Sequence, residues 1–200
     1  MKQEPPISAA AVAGARTRRP FARSASIGMA LFVFTEAMLF AGFISAFVIV
    51  QSNAPVGAWP PPGQPRLPVE RTALNTVALL LSGVALFIAG RFFRASNAPK
   101  ARVWMGLALA LGSFFVVAQG MEWIALLRQG LTLTSSQLGS FFYLIIGTHA
   151  LHAVAAIVAL GWAWRELQAG RLTASRFGAV RMFWFFVVLV WPALYWQVYL

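Results

Sequence analysis

The sequence predicts an all-α integral membrane protein: a bundle of five transmembrane helices, with the N-terminus cytoplasmic and the C-terminus outside. Three observations predict it. Sixty per cent of the 200 residues are apolar, 10% are charged, and the mean hydropathy is +0.72, more apolar surface than a soluble domain of this size needs. Five apolar runs, at 27–50, 72–94, 102–127, 139–164 and 177–199, reach the ~20 residues required to cross a bilayer core. Thirteen of the sixteen basic residues fall before the first run, or in the second and fourth connections and the run ends that flank them, and only Arg66, Arg71 and Arg128 fall on the opposite side. By the positive-inside rule the richer side is cytoplasmic. An odd number of spans then puts the C-terminus outside.

The same charge count disposes of a rival reading. A net charge of +11 in a soluble chain would suggest nucleic acid, but here the cations sit between hydrophobic runs, where they set orientation. Cysteine is absent, which excludes disulfides, thiolate metal sites and iron–sulfur clusters.

Taken in order, residues 1–26 contain Pro5, Pro6 and four arginines and read as a cytoplasmic basic arm, partly disordered. The run that follows is too long for a signal peptide. The membrane domain, 27–200, opens with IGMALFVFTEAMLFAGFISAFVIV, whose single charged residue is Glu36. Residues 51–71 carry Trp59, Pro60, Pro61, Pro62, Pro65 and Pro68. Such a segment cannot be helical throughout, and it reads as an interfacial cap with Trp59 at headgroup level. The second run holds Gly83, which with Gly42, Ser45 and Ala46 of the first is small enough for close helix approach. The third run carries Glu122 towards its outer end, the fourth carries His149 and His152, and the fifth contains Pro192, which is expected to kink it. Trp59, Trp123, Tyr195, Trp196 and Tyr199 mark the outer interface and Trp104 and Trp164 the inner one.

The residues able to carry chemistry are few. All five acidic residues are glutamates, and only Glu36 and Glu122 lie within spans. An ionisable group inside a membrane points to function by default; the plainer readings are a hydrogen-bonded structural carboxyl for Glu36 and an interfacial carboxylate for Glu122. His149 and His152, three apart, share a helix face. Two histidines without Cys or Asp fall short of the three or four ligands of a zinc or copper site, so no metal and no haem is expected in the chain. Hydrogen bonding to a neighbouring helix or a carboxyl is the expected histidine role, and Glu36 with His149 is one pairing the depths allow. No catalytic constellation is present, which points to a subunit supporting chemistry located elsewhere.

The motifs TEAMLFAGFISAF (35–47), AWPP (58–61), NTVALLLSG (75–83), QGMEW (119–123) and FFYLIIGTHALH (141–152), followed by VW…VYL (190–200), come in an order and spacing that resemble subunit III of haem–copper terminal oxidases, in its short five-helix bacterial form. The resemblance covers the membrane region and not the first 26 residues. It implies a non-catalytic, lipid-binding subunit of a respiratory oxidase in a bacterial inner (plasma) membrane. Such a subunit binds the catalytic haem–copper subunit I and other oxidase subunits, holds phospholipid in a cleft, stabilises the catalytic subunit and supports its proton uptake. Haems and copper belong to those partners. Glu36 matches the family's carboxyl beside the lipid cleft, Glu122 its QxxEW glutamate, His149 and His152 its GxHxxH pair, and Arg165 falls close to a basic residue meeting lipid headgroups.

One departure stands out. The family's last helix usually reads Trp-His-Phe-Val-Asp, whereas this chain has Trp184, Phe185, Phe186, Val187 and Val188, so Phe185 and Val188 replace a histidine and an aspartate. Two other functions fit the residues: an accessory subunit of a nitric-oxide reductase relative, and a small proton or solute transporter using Glu36. The second is weakened by the lack of an inverted repeat.

Overall fold

Helices are the expected outcome for such a sequence, because only a helix satisfies its own backbone inside a bilayer. The computed structural model describes residues 21–55, 59, 65 and 67–199. They form α1 (Phe21–Ser52), α2 (Val69–Arg94), α3 (Ala98–Arg128), α4 (Gln137–Gln168) and α5 (Ala174–Tyr199), with no strand among the described residues. All five are long and apolar enough to cross a membrane. Each contains one of the predicted runs and extends past it. Lengths of 26–32 residues correspond to roughly 40–50 Å against a hydrocarbon core of ~30 Å, so the ends reach into the headgroups. Helix α1 begins at Phe21 rather than near 27. The rest of the basic arm, and most of the proline-rich cap, lie outside the described residues.

Local signals end the helices where the chain must reverse. Asn97 accepts a hydrogen bond from the Lys100 amide and caps α3, with Pro99 in its first turn; Ser136 accepts from the Gly139 amide and caps α4. These are the oxygen-bearing residues preferred at such positions. After α3 and α4 the chain turns through Gly130 and Gly170, both at positive φ, where a glycine carries no Cβ penalty.

Helix α5 is the centre of the packing. It packs along α1, α2 and α4 and reaches α3 through Trp184, Trp191 and Tyr199, while α2 packs along α3, α3 along α4, and, among the described helices, α1 packs on α4 and α5. Buried Trp184, Trp191, Phe183, Phe186 and Val187 make up its inward surface. Helix α1 is correspondingly bare: Leu31, Phe34, Met38 and Ile49 are exposed, the aspect of a helix whose outer face meets acyl chains. Helices α2 and α3 pack along each other and carry small buried residues, including Ala78, Ala85 and Ala89 on one helix and Ala101 and Ala108 on the other, which lets backbones approach without a hydrophobic drive between them. Gly83 serves the same end, since a Cβ there would lie 3.1 Å from Val188 of α5. Gly42, expected to do likewise, has no neighbour at that position and faces outward.

The chain runs helically through Pro192, which cannot donate to the Val188 carbonyl. Three polar side chains of α5 tie the helix down on either side of that gap. Trp191 Nε1 donates to Thr76 Oγ1 at 2.8 Å, and Tyr195 donates through its hydroxyl to the Val69 carbonyl at 3.1 Å. The Tyr199 hydroxyl accepts from Gln119 Nε2 at 3.1 Å. Their spacing of four sets all three on one face. Tyr199 and Tyr195 therefore belong to the helix seams rather than to an aromatic belt; Trp196, 71% exposed, keeps the belt position.

A Cβ at Gly112 would overlap the Trp184 indole, which is fully buried. Gly112→Leu is expected to force the indole aside at a cost of about 1–3 kcal/mol and to lower the midpoint of thermal unfolding in detergent, whereas Gly42→Leu, on the open face of α1, leaves it unchanged.

Candidate functional site

Glu36 lies at the midpoint of α1 and His152 at the midpoint of α4, so the meeting of these helices near α5 brings the two groups together at mid-membrane. Glu36 Oε2 stands 3.0 Å from His152 Nε2. The contact has ion-pair distance without full hydrogen-bond alignment, and rotation about the broad terminal torsion of the carboxyl is enough to align it. The expected partner His149 is not the one used. A three-residue step along α4 carries its ring onto Phe40 and Trp191, and the carboxyl meets His152 instead.

The state of the ring follows from its other nitrogen. His152 Nδ1 lies 2.7 Å from the Thr148 carbonyl one turn back. A carbonyl only accepts, so Nδ1 carries the proton. A neutral ring then presents Nε2 as an acceptor towards Glu36. Around the pair stand Phe32, Phe40, Phe183 and Phe186, with ring centroids 5.6–6.4 Å from the imidazole. The side chains of His152 and Glu36 remain 12% and 18% exposed, so the phenyl shell leaves an open edge.

His149 is 2% exposed. Its ring lies 5.1 Å from Trp191 and 6.1 Å from Phe40, and neither nitrogen has a hydrogen-bond partner among the described residues. The two histidines of one motif thus occupy different surroundings, with Phe40 packed against both rings.

Glu122 sits at the far end of α3 and faces Arg71 of α2 at 3.7 Å. Arg71 is 79% exposed, and so loose a surface pair is worth little. Beside it lies a polar group that the sequence reading passed over. The Asn75 amide donates to Gln119 Oε1 at 3.4 Å, and Gln119 in turn donates to Tyr199, all three being buried. Asn75 and Gln119 belong to the NTVALLLSG and QGMEW segments; the available signal was two carboxamides inside apolar runs.

Arg165 is exposed at the opposite end of the bundle, on α4. It lines a surface groove with Val158, Gly161, Trp162, Glu166 and Arg171. Glu166 is held by Arg171 at 2.8 Å and Arg176 at 3.8 Å, and Arg176 also lies over the Trp162 ring at 5.8 Å. Cations thus cluster above an apolar strip. In α5, Phe185 packs under the Arg181 guanidinium, and Val188 is buried against Gly83, so the two positions that depart from the usual motif serve packing here. Among the described residues no three His, Cys, Asp or Glu side chains gather closely enough to hold a metal ion.

The family described as "Cytochrome c oxidase subunit III" matches over residues 7–200. Among curated relatives, cytochrome c oxidase subunit 3 of Synechocystis sp. is 32% identical over 177 residues, covering 86% of this chain and 74% of the relative. The probable cytochrome c oxidase subunit 3 of Nocardia farcinica is 30% identical over 185 residues, covering 87% and 86%. The cytochrome c oxidase subunit 3 of Pelomedusa subrufa is 34% identical over 182 residues, covering 86% and 67%.

Glutamine at position 36 keeps an N–H donor for His152 Nε2, whereas alanine leaves a buried ring nitrogen unpaired. Glu36→Ala is therefore expected to destabilise the bundle by about 1–3 kcal/mol and Glu36→Gln by much less, read as thermal unfolding of the purified complex. Equal losses in the two variants would show that the pair needs the carboxylate charge.

Proposed function

The chain belongs to the cytochrome c oxidase subunit III family, and from that premise we propose that it is the lipid-holding, non-catalytic subunit which stabilises the catalytic haem–copper subunit and supports its proton uptake. It is a multi-pass protein of a bacterial plasma membrane and a subunit of a haem–copper oxidase of the respiratory chain. The haems and copper, by this proposal, sit in subunit I and other partners, and the chain orients with its N-terminus in the cytoplasm.

The observation that carries the lipid role is the Glu36–His152 pair at the open edge of a phenyl shell. Ionising both groups in so apolar a setting carries a heavy desolvation cost, so Glu36 stays protonated and donates to Nε2. A neutral pair makes a polar contact at mid-membrane that leaves the adjoining surface apolar enough for an acyl chain to lie along α1. The groove at Arg165 supplies the other half of a phospholipid site: cations for the phosphate above Val158 and Trp162 for the chains. With Phe185 and Val188 given over to packing, the headgroup contact shifts from α5 to this α4 cluster. Bound lipid then fills the outer face of α1 and holds the subunit against its catalytic partner.

Two experiments test the reading. Purification in mild detergent through a tag on this chain should bring down haem absorbance together with a large catalytic subunit; a haem-free chain with unrelated partners overturns the assignment. In the purified complex, Glu36→Ala should lower the phospholipid retained per complex and reduce the number of turnovers before inactivation. If both are unchanged, Glu36 has no part in holding lipid.

A further inference from the structure

A cavity of about 130 Å³ lies between α3 and α4, closed at its back by Trp191 of α5. Its walls are mostly apolar, formed by Phe115, Val116, Ile146 and Ala150 among others, but Gln119, Trp123 and His149 also line it. Both nitrogens of His149 and Nε1 of Trp123 are buried and lack a hydrogen-bond partner among the described residues. Gln119 uses one N–H on Tyr199 and one lone pair on Asn75, which leaves one of each.

His149 and Trp123, which carry these three unpaired nitrogens, both line the cavity, and their chemistry defines what fits it. A neutral imidazole offers one donor and one acceptor, and an indole offers a donor only. The occupant must therefore both accept and donate. An acyl chain or an apolar side chain would leave all three nitrogens unpaired in a medium with no other partner. Water meets the requirement at the smallest size, needing ~30 Å³ of liquid volume per molecule and two to four polar contacts. We propose that this cavity is a hydration site, in which ordered water joins His149 of α4 and Trp123 of α3 and continues the Asn75–Gln119–Tyr199 chain across the bundle. The site rests on the packing of α3, α4 and α5 and is independent of the lipid and proton-uptake roles. Phe40, packed on both histidines, keeps it apart from the Glu36–His152 pair.

The test is a density map of the purified complex in lipid nanodiscs, at a resolution where ordered waters are visible. Water-sized peaks are expected within about 2.7–3.2 Å of a His149 nitrogen and of Trp123 Nε1. An acyl chain, a partner's side chain or no density at that place overturns the proposal. Ala150→Leu fills the cavity from its wall without touching either polar residue; the peaks should be lost while the Glu36–His152 contact stays. Peaks that persist at His149 in this variant would place the water elsewhere and also overturn the site. Should the variant fail to assemble, the unsubstituted complex decides alone.

Discussion

A bilayer core offers a polar side chain no partner, so every such group in these helices must find one inside the protein or remain unpaired. That constraint organises the bundle. Trp191, Tyr195 and Tyr199 carry polar atoms at intervals of one turn along α5, and each is matched by an oxygen or amide on α2 or α3. These contacts fix the rotation of α5 about its own axis, which packing of uniformly apolar helices does not do well by itself, since a helix that is apolar all round has no preferred face. Once α5 is set, its Phe183 and Phe186 edge holds α1 and α4 at the distance where Glu36 meets His152.

Much of the architecture was legible in the sequence because its cause is local and additive. Run length, composition and cation placement are summed over twenty residues at a time, and each of the five predicted runs lies within a helix. What one residue does is a different matter. Glu36, His149 and His152 stood out as polar groups in apolar runs, but which histidine meets the carboxyl depends on the rotation and crossing of two helices, and no single run encodes that. Gly42 and Gly83 look alike in sequence, yet only Gly83 meets a neighbouring helix. Tyr195 and Tyr199 look like interfacial aromatics by position; they turn inward because α2 and α3 present acceptors and donors to them.

The carboxamides were the least visible of the functional residues. Asn75 and Gln119 carry no charge, and a search for titratable or metal-binding groups passes them by. Their importance comes from pairing across 44 residues of chain and from sharing Gln119 with the end of α5. The same logic accounts for Phe185 and Val188. Replacing a polar pair by apolar residues is tolerable where the neighbour offers a flat, small surface, and Gly83 supplies one beneath Val188.

Phe40 carries one more consequence. Two imidazoles a turn apart at mid-membrane, one beside a carboxyl and the other lining a mostly apolar cavity, would form most of a proton wire across the bilayer. The Phe40 ring rests on both of them, and a phenyl ring neither accepts nor releases a proton. A proton on one imidazole therefore finds no relay through that ring to the other.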